Sequence, residues 1–341
     1  PLRRVTPPAA APAGLTDAQW DQQVRARLLT TVADLVPGSP HVDTIRQWAD
    51  DVWFVDLVGG GRIVAKHQFY GLVTRGTPHD LLQVEFDALR YLRAHGGAVP
   101  IVFGIDPGAQ MILLEFVGCQ TFADVLARTF DAETRKYLAG RALRELACIE
   151  ARLADAEFAG ARRVIPGASL DDLAAAWAPV VAGAIDGLHR LWHRHCGDTP
   201  PNGLVDAIEA LWQRLGARQP SLGATDYQPA NIVVDEAHRR VTFLELSKLG
   251  WDWTERRAVQ YTTSVDGSGM SLLDTDVVDV CCLDSAALDG HLVIFQLLLA
   301  RRILQSGDVD SRRLARELAV PLSDDVDTLE VRRCLQLLTS C

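Results

Sequence analysis

Lysine is nearly absent from this chain. Of the 34 Lys and Arg residues among 341, only Lys66, Lys136 and Lys248 are lysine. Codon composition accounts for such a skew, but it singles out each surviving lysine. A planar guanidinium does not replace a compact ammonium as a point charge on phosphate. A basic excess is missing too. The formal net charge is -10, and basic pairs such as Arg162-Arg163 are scattered. A nucleic-acid partner calls for a basic face that releases counterions, so none is expected, while a cationic ligand is permitted. No apolar run reaches the ~18 residues of a membrane span. The longest candidate, Leu292 to Leu299, stops before Arg301-Arg302. No Cys-x-x-Cys occurs, and the seven cysteines are odd in number and irregularly spaced. That pattern fits a reduced, cytoplasmic setting. The Pro/Ala-rich residues 1–14 lack an apolar signal core and read as a disordered leader. A Walker loop, a Rossmann fingerprint and a Ser nucleophile elbow are all missing.

What is present suits a folded chain with a large core: 48% of residues are hydrophobic and 23% charged, enough for two domains or one bilobal domain. Thr16-Asp17-Ala18-Gln19 opens a helical pattern that runs to about Leu35. Trp48 to Leu57 and Arg62 to Gln68 are strand-like around the turn Gly59-Gly60-Gly61. Asp80 to His95 fits a helix closed by Gly96-Gly97. Val99 to Gly104 and Met111 to Phe116 read as strands around Asp106-Pro107-Gly108. Beyond Gly118 the pattern turns helical: Thr121 to Arg128, Ala132 to Leu153, Leu170 to His195, Leu204 to Leu215, Asp274 to Gln305 and Ser311 to Leu338. The expected organisation is a leader 1–14, a small α+β N-lobe 15–116 and a larger, mainly helical C-lobe 117–341.

The chemistry concentrates in Asp226-Tyr227-Gln228-Pro229-Ala230-Asn231, followed at once by the apolar Ile232-Val233-Val234. Eleven residues later Glu245 sits in a second apolar run, Val241 to Leu246. Hydroxyl kinases use this layout. An Asp orients the attacking hydroxyl, an Asn a short loop away holds a metal, and an acid near the next hairpin holds the metal that bridges the phosphates. Lys66 ends the strand Ile63-Val64-Ala65-Lys66, and Glu85 lies on the following helix. A strand Lys paired to a helix Glu is the positioning device of this chemistry. Met111 to Gly118, including Glu115 and Val117, reads as a buried strand running into a linker. In a bilobal kinase that segment offers backbone groups to adenine; a plain core strand would read the same.

On these residues the chain resembles the aminoglycoside phosphotransferase family, the small-molecule branch of the protein-kinase-like fold. Its members show His-Gly-Asp-x-x-x-x-Asn, an apolar strand, then an acid. Leu222 to Asp235 matches that segment without gaps, and the likeness extends from about Val52 to Gly250. The resemblance implies an ATP-dependent phosphotransferase with an alcohol acceptor. It implies that Asp226 orients or deprotonates that hydroxyl, that Asn231 and Glu245 carry Mg²⁺, and that Lys66, held by Glu85, contacts the α- and β-phosphates. Three departures stand out. Ala224-Thr225 replaces His-Gly, Glu245 replaces Asp, and Lys248 follows the acid. The extra methylene of Glu moves its carboxylate by ~1.5 Å. Three readings stay open: a kinase of a small molecule such as an antibiotic or metabolite, a kinase of Ser or Thr in a precursor peptide, and a catalytically inactive scaffold. The oligomeric state is unreadable.

Other features have plainer readings. His189, His193 and His195 suit a solvated helix end near its C-terminal dipole better than a metal site. Gly59-Gly60-Gly61 is a turn before it is a phosphate cradle. Trp251 and Trp253 fit either an acceptor pocket or core packing. Asp274, Asp276 and Asp279 sit at a helix start, and Cys281-Cys282 in an apolar helix.

Overall fold

The computed structural model describes residues 17–49, 51–67, 71–73, 77–128, 132–155, 158, 164–225, 227–235, 237, 240–262 and 283–306. The expected leader, the helix expected at 311–338, Asp226, the acids 274–279 and Cys281-Cys282 lie outside these residues.

The chain begins with α1 (Asp17–Leu35) and strands β1 (Val42–Ala49), β2 (Val52–Leu57) and β3 (Arg62–His67). The short strands β4 (Gly71–Val73) and β5 (Thr77–His79) lead to α2 (Leu81–Ala94), then β6 (Val102–Asp106) and β7 (Met111–Glu115). An antiparallel sheet forms in the order β1-β2-β3-β7-β6, so β3 and β7 are central. Their residues alternate between two layers, as the period of a strand requires. Ile63, Ala65, Met111 and Leu113 pack with Val24, Leu28 and Val32 of α1. Val64, Ile112 and Leu114 face the other way, toward Ala88, Leu89 and Leu92 of α2. Each large aliphatic side chain buried this way contributes about 1.5–3 kcal/mol. Asp80 caps α2, its carboxylate accepting from the Gln83 N–H at 3.0 Å.

The strand expected at 48–57 is corrected to two. β1 occupies 42–49, an edge strand exposed nearly throughout, and the chain turns before β2. A strand with no buried face carries no alternation, which is why residues 42–47 gave no signal.

The larger lobe contains α3 (Phe122–Arg128), α4 (Ala132–Leu153), α5 (Leu173–Cys196) and α6 (Asn202–Gly216). Then follow β8 (Ser221–Ala224), a 3-10 turn (Pro229–Asn231), β9 (Ile232–Asp235), β10 (Arg240–Phe243) and β11 (Leu249–Asp252). Helices α7 (Thr254–Thr262) and α8 (Ser285–Ser306) complete the described residues. β9 pairs with β10 and β8 with β11, both antiparallel. Sequence reading missed β8, β11 and α7, and α8 starts eleven residues after the expected Asp274, with 263–282 undescribed.

Beneath β8 and β11 lies a charged staple. Arg257 of α7 is fully buried and donates to Glu150 Oε1 (3.0 Å), Ser221 Oγ (2.9 Å), Ser221 O (3.1 Å) and Gly250 O (2.7 Å). Glu150 Oε2 also accepts from the hydroxyls of Ser221 and Thr254. One ion pair thus ties α4, α7 and both strands together. The architecture is the bilobal protein-kinase-like one expected, a small antiparallel-sheet lobe with one flanking helix on the cleft side and a mainly helical lobe.

Candidate active site

The alternation of β3 points Lys66 away from α1, toward α2 and the space beyond the sheet. Lys66 is 5% exposed and Glu85 is 1% exposed. Lys66 Nζ donates to Glu85 Oε1 at 3.0 Å and Oε2 at 3.2 Å. It also lies 2.7 Å from Glu245 Oε1, across the cleft in the helical lobe. Burial works against the ammonium's charge, but the two carboxylates outweigh it and hold its pKa above the ordinary 10.5. One positive and two negative charges leave this cluster at net -1.

Glu245 is not inside a strand, as its apolar neighbours suggested. β10 ends at Phe243, and the next N–H, that of Leu244, donates to the Asn231 carbonyl at 2.9 Å. That bond sets Asn231 beside the Leu244-Glu245 segment. Glu245 itself adopts φ +60, the left-handed region that costs a non-glycine residue about 1–3 kcal/mol and clusters at functional sites. Asn231 closes its own turn by donating its N–H to the Gln228 carbonyl at 2.9 Å.

The hairpin is fastened to the rest of the cleft by main chain. Val234 N–H donates to Gln120 O, and Phe243 N–H to Ala98 O, both at 2.8 Å. The second bond joins the helical lobe to the loop between α2 and β6. Gly118 of the linker has φ +123, and a Cβ there would stand 3.1 Å from Val233 Cγ1. Only glycine lets the linker pass this close to the hairpin at that φ.

Lys66, Glu85, Glu115, Val117, Asn231 and Glu245 all line one cavity of about 290 Å³ between the sheet, the linker and the hairpin. These are the residues singled out from sequence, apart from Asp226, which lies outside the described residues between Thr225 and Tyr227. Glu115 is also structural, its carboxylate accepting from the Ile101 N–H at 3.0 Å. Sequence reasoning missed Trp48 and Phe54, stacked at 4.9 Å and lining the same cavity. Recognising β1 as a strand paired with β2 would have found them.

The remaining candidates separate. The glycines 59–61 form the exposed turn between β2 and β3. Trp253 is buried with Trp177 and Trp212 at 5.6 and 5.5 Å, whereas Trp251 lines a second cavity. Lys248 is half-buried, and its carbonyl accepts from the Thr225 N–H at 2.8 Å. Among the described residues no three His, Cys, Asp or Glu side chains converge as a metal cluster, the histidines of α5 included.

A strand lysine anchored by a helix glutamate, facing an Asn and an acid across an interlobe cleft, resembles the arrangement that kinase chemistry uses. Residues 41–253 match the phosphotransferase enzyme family, and the chain belongs to that family. It is thus an enzyme of the phosphotransferase class, as the resemblance implied. Comparison with curated proteins gives no match. Among solved structures, a candidate aminoglycoside phosphotransferase from Ralstonia eutropha is 11% identical, over 92% of this chain and 95% of its own, with TM-score 0.50. A choline/ethanolamine kinase family protein from Mesorhizobium loti is 12% identical over 93% and 99%, with TM-score 0.47. A macrolide 2'-phosphotransferase from Brachybacterium faecium is 17% identical over 88% and 99%, with TM-score 0.48. At these identities the likeness is one of fold. Among the described residues no helix is long and apolar enough to cross a membrane.

Proposed function

We propose that this chain transfers the γ-phosphoryl group of ATP to a hydroxyl of a small molecule, in the cytoplasm and with Mg²⁺. The observation that carries the reading is the convergence of Lys66, Glu85, Asn231 and Glu245 on one cavity beside the linker. We put the lobe boundary at 116/117, just past the end of β7 at Glu115. The nucleotide base would lie against Glu115 and Val117, and Lys66, held straight by Glu85, would contact the α- and β-phosphates.

Asn231 and Glu245 fit Mg²⁺. They bring two hard-oxygen donors to one wall of the cavity, and Mg²⁺ takes few protein ligands because it keeps waters and phosphate oxygens. Bound there, the metal would offset the phosphate charge. Asp226 accepts the proton of the acceptor hydroxyl as its oxygen bonds to the γ-phosphorus. The bond from the γ-phosphorus to the bridging oxygen breaks, leaving ADP and a phosphate ester. The chain's share is positioning and charge neutralisation, as a loose phosphoryl transfer requires. No nucleic acid or membrane enters this scheme.

The test is nucleotide binding and ADP release. MgATP should raise the melting temperature of the wild type. Lys66→Ala should lose that shift. Asp226→Asn should keep it but show no acceptor-dependent ADP release. An absent shift in the wild type, or undiminished release in Asp226→Asn, would reject the reading.

A further inference from the structure

A row of apolar side chains crosses the cleft face of the sheet. Phe54, Val64 and Leu114 stand in register on β2, β3 and β7, and all three line the cavity that Lys66 also lines. Lys66 is the next residue of β3 on the same face, ~7 Å further along the strand. The apolar row and the charged cluster are therefore neighbouring halves of one site.

Trp48 extends that row onto β1 through a break in the ladder. Gln47 pairs with Trp53 and Ala49 with Val52, so Trp48 is the extra residue of a β-bulge. A bulge re-aims the side chain it carries, and bulges recur beside active sites. The Trp48 indole lies on the Phe54 ring, with centroids 4.9 Å apart and planes 27° from parallel. Phe54 has further neighbours that hold it in place. Phe116 meets it edge-on at 5.3 Å, and the Arg62 guanidinium stands 5.4 Å from its centroid. Arg62 is held in turn by Asp56 at 2.6 Å. Phe54 is 7% exposed, whereas Trp48 is 63% exposed. An open indole on a fixed backing, at a cavity wall, is a stacking platform for a flat ring.

The charged half of the site receives a polyanion less well. Protein kinases cover the phosphates with a glycine-rich loop. Here β1 and β2 are joined by residues 50 and 51 alone, both Asp, and the three consecutive glycines lie in the exposed β2–β3 turn. Asp51 lines the cavity, and its carbonyl accepts from the His67 N–H at 2.8 Å, which ties the turn to β3. Among the described residues of the cavity wall, the carboxylates of Asp51, Glu85, Glu115 and Glu245 stand against the ammonium of Lys66. That balance opposes a triphosphate and leaves the base to supply the affinity.

We propose that Trp48 selects the nucleotide by stacking on its base, and that the nucleoside half of a purine nucleotide supplies most of the affinity and the triphosphate little. This rests on the phosphotransfer reading and adds where in the nucleotide the binding resides. Isothermal titration of the full chain tests it with adenosine, uridine, MgATP and magnesium tripolyphosphate. Adenosine should bind saturably and within tenfold of MgATP. Uridine, with one ring in place of two, should bind at least fivefold more weakly than adenosine, and magnesium tripolyphosphate at least tenfold more weakly. Trp48→Ala should weaken adenosine and MgATP by the same factor, about fivefold or more, and Trp48→Phe should restore most of that loss. Trp48→Leu keeps apolar bulk without a π-face, so it should lose as much as Trp48→Ala and decides the matter if that variant does not fold. Val58→Ala, in the β2–β3 turn and outside the cavity, should change nothing. Lys66→Ala leaves the carboxylates unopposed, so it should lose MgATP and keep adenosine. Adenosine binding without MgATP binding in the wild type would count against phosphotransfer and leave Trp48 in its role. Tripolyphosphate binding as tight as that of adenosine, or wild-type adenosine and MgATP affinities in Trp48→Ala or Trp48→Leu, would overturn the inference and leave phosphotransfer standing.

Discussion

Lys66 stands closer to Glu245 than to Glu85, with Nζ 2.7 Å from Glu245 Oε1 and 3.0 Å from Glu85 Oε1. The acid proposed to hold the metal is therefore the nearest neutraliser of the lysine proposed to hold phosphate. With Glu85 the trio is net negative, which opposes a triphosphate unless a divalent cation arrives with it. The longer reach of Glu fits this contact, since Asp would be shorter by ~1.5 Å.

Nucleotide binding should accordingly depend on Mg²⁺, and Glu245→Gln should relax that dependence. Removing one charge next to Lys66 is worth ~1 kcal/mol or more at partial burial. ATP in the presence of EDTA should then bind roughly fivefold or more tightly than to the wild type, while turnover with Mg²⁺ falls by ~100-fold. Calorimetry with and without Mg²⁺ makes the comparison. Equal metal-free affinities would mean that Glu245 does not compete with phosphate for Lys66.

Glu85→Gln and Lys66→Met should differ in stability. In the first, Lys66 keeps Glu245 and loses one charge-assisted bond, a cost of about 1.5–3 kcal/mol. In the second, two carboxylates face each other without a cation, and breaking a buried pair costs about 3–5 kcal/mol. Urea denaturation should therefore place Lys66→Met below Glu85→Gln. The reverse order would show that Glu85 supports the fold independently of Lys66.

Those residues were legible because they sit where strong local patterns meet. The helix that carries Glu85 announces itself by an Asp cap, an apolar face and a Gly-Gly stop, and the structure bounds it at Leu81 and Ala94. Lys66 is the penultimate residue of a strand buried on both faces. Asn231 follows a Pro-Ala turn into three apolar residues. What was not legible had no such pattern. β1 is exposed, so Trp48 went unassigned to the cleft. β8 and β11 are only four residues each, too short for periodicity. They are held by Arg257 and Glu150, residues 107 apart in sequence. The second cavity draws on α5, β11, α7 and α8, and no single stretch contains it. His291 carries no sequence motif; only its burial and the missing hydrogen-bond partners among the described residues single it out.

Arg257 and Glu150 should behave as a unit. Arg257→Met leaves Glu150, buried in the core, facing Ser221 and Thr254 without its cation. A loss of about 3–5 kcal/mol is expected. Adding Glu150→Met should recover much of that loss, because an apolar pair avoids the desolvation cost that a lone charge incurs. Chemical denaturation of the two singles and the double closes the cycle. A double variant as unstable as the sum of the singles would mean that the contacts of Arg257 with Ser221 and Gly250 dominate.

His291 should give the fold an acid sensitivity in a defined window. Its folded pKa of about 3 lies below the ordinary 6.5. Between those values the unfolded chain binds a proton that the folded chain does not, so stability rises with pH and is lost as pH falls below 6.5. At pH 5 the loss amounts to on the order of 2 kcal/mol. Carboxylates with depressed values act lower. Asp106, clasped by Arg27 at 2.7 Å, stands at about 2 against an ordinary 3.8, so its contribution persists above 3.8 and disappears only as pH falls toward 2. The interval from pH 6.5 to 5 therefore belongs mainly to histidine. Urea midpoints measured across it should fall for the wild type and stay flatter for His291→Phe. Parallel slopes would place the proton elsewhere and would mean that His291 is not held neutral by its surroundings.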